Sequence, residues 1–267
     1  MNKRPHLYLR AWRRLKLYFG YACARLIFRR KIEGSPIYIV SCGHSGSSLL
    51  LNILGSHSRI YAVPGEVFLA GNRLVWALLR RFNMATLANG KKRWVEKTPK
   101  HIRCIEFLKE VTPHAKFIII IRDGRDVALS IKKRFGSIDI GARRWVNDNL
   151  LGEAYWEDES VKVIRYEDLV EDPRLILEEL LVFLNEPFEP ECLDFHDKPK
   201  SYYSDKVECP PDATQKNHKQ YRNWQINQPL FDGRGKWKQM SAEDKKVVKN
   251  VANKKLIEYG YVTDEEW

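Results

Sequence analysis

After Lys116, the chain runs Phe117-Ile118-Ile119-Ile120-Ile121, and this segment constrains the fold more than any other. Five consecutive apolar residues with no polar alternation leave no side for solvent, so they predict a strand covered on both faces, the situation of a central strand in a parallel sheet. Parallel strands need long crossovers, usually helices. The flanking sequence fits: Arg122-Asp123-Gly124-Arg125-Asp126 punctuates the strand, and Val127-Ala128-Leu129-Ser130-Ile131 continues as a helix. Ile37-Tyr38-Ile39-Val40, Arg93-Trp94-Val95 and Val161-Lys162-Val163-Ile164-Arg165 read as further strands. Alternating strands and helices predict an α/β fold with a central, mostly parallel sheet.

Composition bears on what surrounds this sheet. Of 267 residues, 46 are Lys or Arg and 34 Asp or Glu, a formal charge of +12, and the surplus is localised. Residues 1–32 hold ten basic residues and no acidic one, which leaves residues 33–267 at +2. Two units are therefore expected: a basic amphipathic arm at 1–33 and one domain at 34–267, since no repeat or low-complexity linker divides the latter. The arm interleaves Leu, Tyr, Trp and Phe with Arg and Lys. Its basic residues between 3 and 31 suit either an anionic membrane surface or a helix packed on the domain. No nucleic-acid module accompanies it, and no nucleic-acid partner is expected.

Five cysteines, Cys23, Cys42, Cys104, Cys192 and Cys209, are odd in number and form no C-x-x-C pair, so a disulfide scaffold or zinc ribbon does not fit. A reducing, cytoplasmic setting is expected, peripheral to a membrane if the arm meets one. The longest stretch free of Asp, Glu, Lys and Arg, Gly34 to Ser58, is broken by Gly, Ser, His and Asn and is no membrane span.

The first strand enters Ser41-Cys42-Gly43-His44-Ser45-Gly46-Ser47-Ser48, and a helix follows through Leu54 to about Gly55. Glycines allow a ligand close to the backbone, and the helix amino terminus offers unpaired N–H groups and a favourable dipole for an anion. The Walker A pattern is absent, because Ser47 stands where it needs Lys, and so is the hydrolase elbow, which needs Gly at 47. Arg122, at the end of the central strand, and Ser130, two turns into the next helix, are placed to grip a second phosphate at the carboxyl edge of the sheet.

Four separated segments, IYIVSCGHSGSSLL, IIIIRDGRDVALS, VIRYEDLVEDP and GRGKWKQMS, occur in the order and spacing of the nucleotide-dependent sulfotransferases, which this chain resembles over residues 36–260. The resemblance implies a P-loop-like three-layer domain that takes 3′-phosphoadenosine 5′-phosphosulfate (PAPS) as sulfuryl donor. It also implies roles for residues: Gly43, His44, Ser45, Gly46, Ser47 and Ser48 as the phosphosulfate cradle, Arg122 and Ser130 as 3′-phosphate ligands, Arg234 and Gly235 as the segment that closes over that phosphate, and Tyr166 beside the nucleotide. Many members carry Lys or Arg where this chain has His44, which is charged only if its pKa is raised.

Sulfuryl transfer to a hydroxyl needs a cradle, a cation at the leaving phosphate and a base. The resemblance implies Lys97 as a cation that shares this task with His44, and Glu66 as the general base, with a pKa raised by apolar surroundings. His101, one turn into the helix opened by Pro99 and otherwise a surface residue, and His44 are the alternative bases. The histidines show no metal-ligand spacing, and no metal is expected. The acceptor is a hydroxyl of a glycan, lipid or small molecule. A P-loop-type nucleotide kinase and a non-catalytic nucleotide- or membrane-binding module are the alternatives.

Asp172-Pro173 predicts the start of a core helix containing Leu175, Ile176, Leu180, Leu181, Phe183 and Leu184, and Ser241 caps a last helix ending near Tyr259. Residues 186–236, poor in periodicity, read as a lid, with Tyr202, Tyr203 and Trp224 candidates for an acceptor pocket.

Overall fold

The computed structural model of the chain describes residues 32–203, 218–264 and 267. The basic arm up to residue 31 and residues 204–217 of the expected lid, with Cys23 and Cys209, lie outside the described residues. Five strands, β1 (Ile37–Val40), β2 (Ile60–Ala62), β3 (Arg93–Lys97), β4 (Lys116–Ile121) and β5 (Val161–Arg165), form one sheet in the order β2-β3-β1-β4-β5. Every neighbouring pair is parallel. All five carboxyl ends therefore share one edge, and β1 lies at the centre with Ile39 opposite Lys97 on one side and Ile118 on the other.

The helices are α1 (Ser47–Gly55), α2 (Val75–Ala88), α3 (Ile105–Val111), α4 (Gly124–Phe135), α5 (Ile138–Glu153), α6 (Tyr166–Glu171), α7 (Pro173–Leu184), α8 (His218–Ile226) and α9 (Ala242–Glu258). The alternation of side chains along β1 and β4 assigns them to two layers. Ile37, Ile39, Ile118 and Ile120 pack with Leu50, Leu51 and Leu54 of α1 and with Leu177, Leu180 and Leu181 of α7. Tyr38, Val40, Phe117 and Ile119 face α2 and α3 through Leu79, Phe82, Ile105 and Leu108. A third cluster joins α4, α5 and α9 through Val127, Ile131, Trp145, Val248 and Leu256, and it fixes α4 over the carboxyl edge. Among the described residues, no helix is long and apolar enough to cross a membrane.

Several caps follow from sequence. Asp123 accepts a bond from the Arg125 N–H at the start of α4, Asp172 from Leu175 N–H at α7, and Ser241 from Asp244 N–H at α9. Strand β2, unmarked in the sequence reading, is three residues long and is defined only by pairing with β3, Ile60 opposite Arg93.

Three expectations are corrected. Leu175 is 50% exposed, because the apolar stripe of α7 runs through Ile176, Leu177, Leu180, Leu181 and Leu184 and leaves Leu175 outside it. The first part of the expected lid is core: Cys192 and Phe195 are buried with α1 and α7, and the Glu186 carboxylate, 2% exposed, lies 3.2 Å from Arg93 Nη1. A guanidinium buried on β3 requires such a partner, which pins residues 184–186 against the sheet. His101 is fully buried rather than on the surface, for reasons that concern the site.

Candidate functional site

The loop after β1 turns through two left-handed residues, His44 (φ 73°) and Gly46 (φ 90°). Gly46 is also the N-cap of α1 and offers no capping side chain, so the helix amino terminus opens onto a cavity of about 510 Å³ that Ser47, Ser48 and Leu49 line. Glycine is needed at 46 for a second reason: a Cβ there would stand 2.5 Å from Tyr166 Cδ2. A Cβ on Gly43 would stand 2.9 Å from Arg144 Nη2, so a guanidinium lies directly beside the loop.

Across the cavity, Arg122 follows directly on the last residue of β4. Its Nη2 donates to the Gly233 carbonyl at 2.6 Å, its Nη1 to the His44 carbonyl at 3.3 Å, and its plane lies 4.1 Å from the Tyr166 ring centroid. The Trp145 indole donates to the Arg122 carbonyl at 2.8 Å. The Arg122 Nε is buried with no hydrogen-bond partner. Ser130 Oγ, on the face of α4 toward β1, lies 2.9 Å from His44 Nδ1, and this contact ties the loop to the helix.

Asp126, one turn after Arg122, accepts from Gly235 N–H at 2.9 Å and Trp237 N–H at 2.8 Å and faces Arg122 Nη2 at 3.7 Å. It straps residues 233–237 across the cavity. Burial raises its pKa, against the lowering effect of those N–H bonds and of Arg122. Arg234 turns away: its guanidinium binds Asp232 and Glu171 at the surface, outside the cavity lining, which Gly233 and Lys236 join instead.

Strand β3 delivers Lys97, fully buried, to the same edge. Its Nζ donates to Glu66 Oε1 at 2.6 Å and lies 5.1 Å from the Tyr203 ring centroid. Arg222, on α8, pairs with the same Glu66 oxygen. Burial works to raise the Glu66 pKa, but the Lys97 and Arg222 charges more than offset it and hold the carboxylate at about 2. The expected upward shift is thus corrected: the surroundings of Glu66 are cationic rather than apolar.

A buried network holds the Glu66 loop. Val67 N–H donates to Thr98 Oγ1 at 2.9 Å, and Leu69 N–H donates to His101 Nε2 at 3.0 Å. Because Nε2 accepts, the ring proton of a neutral His101 sits on Nδ1, which faces Glu96 Oε2 at 3.0 Å. His101 is therefore engaged beneath the loop and does not line the cavity.

Of the residues singled out from sequence, Gly43, His44, Gly46, Ser47, Ser48, Glu66, Lys97, Arg122, Ser130 and Tyr166 converge on one cavity. Ser45 is buried beneath the loop, and Gly235 contributes through its bond to Asp126. Tyr203 lies 3.3 Å from Ser48 Oγ through its hydroxyl. Tyr202 packs against the α1 cluster, and Tyr221 lines the cavity where Trp224 was expected. Asp126 went unremarked, although its i,i+4 spacing from Arg122 is a readable signal. Arg134, Arg144 and Arg222 also line the cavity and carry no such signal. Among the described residues, no cluster of His, Cys, Asp or Glu is arranged to hold a metal ion.

Residues 73–190 match a family model described as the sulfotransferase family. An uncharacterized protein of Aquifex aeolicus (strain VF5) is 23% identical over 226 residues, 69% of this chain and 30% of that protein, so the chain spans less than a third of that curated relative. Among solved structures, the sulfotransferase domain from the curacin biosynthetic pathway is similar at 20% identity and a TM-score of 0.54, covering 84% of this chain and 98% of that one. The sulfotransferase domain of the Synechococcus PCC 7002 olefin synthase gives 18% and 0.54, covering 84% and 97%. Mouse sulfotransferase SULT7A1 complexed with PAP gives 17% and 0.57, covering 83% and 84%. At these identities the structural likeness is one of fold. The matched segment contains β3, β4 and β5 with Lys97, Arg122, Ser130 and Tyr166, and over it the chain is similar to the sulfotransferase family.

Proposed function

We propose that this protein transfers a sulfuryl group from PAPS to the hydroxyl of a glycan, lipid or small-molecule acceptor. The observation that carries this reading is the convergence of the open amino terminus of α1, Arg122 and Lys97 on one cavity. Two features fit such a donor. The amino terminus of α1 opens onto the cavity with no side-chain cap, and Arg122 keeps a buried Nε without a partner. Both suit a group rich in phosphate oxygens.

The bound donor supplies an activated sulfuryl group on a phosphate that can leave. The loop of residues 43–48 holds the phosphosulfate, Arg122 and Ser130 hold the 3′-phosphate, and Tyr166 positions both the loop and Arg122. The Asp126 strap excludes water on the Arg122 side. Lys97, compact and desolvated, stabilises negative charge that grows as the sulfuryl group departs, and His44, with Nδ1 directed to Ser130, couples the cradle to the 3′-phosphate side. Glu66, ionised at neutral pH, takes the acceptor's proton, and it becomes a stronger base when Lys97 turns from it toward the donor. SULT7A1 was solved with PAP, which favours the same nucleotide here.

The test is calorimetric titration with 3′-phosphoadenosine 5′-phosphate (PAP), ATP and adenosine 5′-phosphate on the protein and on Arg122→Ala. PAP is expected to bind far more tightly than the other two, and the variant to lose about 10–100-fold, the scale of a lost charge-assisted contact. Equal binding of all three nucleotides would overturn the reading and return weight to ATP chemistry.

A further inference from the structure

We infer that Arg144 is a donor-binding residue, the guanidinium that meets the phosphosulfate end of the nucleotide beside the loop of residues 43–48. The inference deepens the proposed sulfuryl transfer and rests on it. The loop's own residues set the need. Positions 41–48 contain neither Lys nor Arg, and His44 directs Nδ1 to Ser130. Backbone N–H groups at a helix start favour an anion, and a fixed cation beside them holds a sulfate joined to a phosphate more firmly. Lys97 supplies one charge, with its Nζ shared with Glu66. Any further cation at the loop has to come from another element.

Helix α5 brings Arg144 to that place. The side chain lines the same cavity. Chain neighbours aside, the three atoms nearest to where a Cβ on Gly43 would stand are Arg144 Nη2, Cζ and Nη1, at 2.9, 3.5 and 3.9 Å. Gly46 is required by its positive φ, whereas Gly43 has no positive φ. What a side chain at 43 would disturb is the close approach of the guanidinium. The guanidinium is also aimed. Its Nε faces Asp148 Oδ2, one turn further along α5, at 3.4 Å, and Asp148 Oδ1 accepts from Arg103 Nε at 2.6 Å. Asp148 is fully buried, and a buried carboxylate so fixed is a rigid anchor. Held at Nε from below, Arg144 lays its Nη edge against the loop. Asp148 is shared between two guanidiniums and does not cancel the charge of both. An ion pair that served folding alone would need neither the cavity nor a glycine opposite it.

The test uses the full chain and two nucleotides that differ only at the 5′ position, PAP and adenosine 3′-phosphate, titrated calorimetrically into wild type, Arg144→Gln and Arg144→Lys. Wild type is expected to prefer PAP. Arg144→Gln is expected to weaken PAP about tenfold or more, the scale of a lost charge-assisted contact, and adenosine 3′-phosphate less than about twofold. Arg144→Lys is expected to recover part of the loss. Gly43→Ala is the second variant, in which Arg144 remains but its guanidinium is pushed off the loop. It is expected to weaken PAP selectively as well, and the double variant Gly43→Ala/Arg144→Gln to lose no more than Arg144→Gln alone. Equal weakening of both nucleotides in the single variants would make Arg144 a support of the loop and overturn the inference. Unchanged PAP affinity would overturn it too, and slowed transfer from labelled PAPS in that case would move Arg144 to the acceptor. If wild type itself bound no PAP, the donor reading would fall first and the inference with it.

Discussion

The two sides of the cavity are built by different means. The side proposed to hold the donor is made of elements adjacent in the sheet: β1 and β4 pair directly, their carboxyl ends present the 43–48 loop and Arg122, and one turn of α4 brings Asp126 and Ser130. Its key groups are backbone N–H groups and a braced guanidinium. The side proposed to face the acceptor joins Glu66, Lys97 and Arg222, residues from three distant parts of the chain, through ion pairs. The difference teaches that the end proposed for the donor is shaped by backbone geometry, whereas the end proposed for the acceptor is held by charges that a ligand can redistribute.

The strongest way to break this contrast is Gly46→Val. A side chain at φ 90° with its Cβ 2.5 Å from Tyr166 must displace the loop. PAP binding is expected to vanish from calorimetric detection and the melting temperature to drop by about 3–9 °C, as follows from roughly 1–3 kcal/mol of strain. A variant that binds PAP normally would refute a preformed cradle. Lys97→Ala acts on the other side. Single-turnover transfer is expected to slow by about 10²–10³-fold, the scale for loss of one preorganised charge donor, with PAP affinity changed far less.

Asp126→Asn sharpens the donor side. The strap loses a charged acceptor for two N–H groups, and PAP affinity is expected to weaken about tenfold, measured by the same titration.

Acid sensitivity separates the two regions without a ligand. The Glu66 carboxylate is depressed to about 2 in the folded protein, so its ion pairs contribute stability that is present above its ordinary value near 4.5 and is lost as pH falls toward 2. Urea midpoints of wild type and Glu66→Gln are expected to differ at pH 6 and to converge below pH 4.5. A constant difference would show that the pairing is not what depresses the group. The smallest effect is predicted for Arg234→Ala, within about threefold in PAP affinity, because its guanidinium is spent on Asp232 and Glu171. A large loss would bring Arg234 back to the nucleotide.

The legibility of the site follows the same division. The unbroken run Phe117–Ile121 and the Gly/Ser loop after Val40 announced a buried parallel strand and an anion-binding helix terminus, because both signals are contained in a few consecutive residues. Strand β2 carried no such signal: three residues become a strand only when β3 lies beside them. His101 illustrates the same limit. Its sequence position suggested a surface or a base, yet the fold encloses it, with Nε2 accepting from Leu69 N–H and Nδ1 facing Glu96, and its role becomes that of support for the Glu66 loop.

By itself, the sequence determined four of the five strands, the parallel character of the sheet and the Gly/Ser loop at the start of the first helix. Those properties arise from periodicity, backbone freedom at glycine and capping, all local. Only the tertiary structure decided that Glu66 would be a strongly ionised carboxylate between Lys97 and Arg222, that Asp126 rather than Arg234 would secure the strap, and that, among the described residues, eight cations would share one cavity. These depend on distances between residues remote in the chain, and electrostatic energy is set by distance and burial, which no short window of sequence contains.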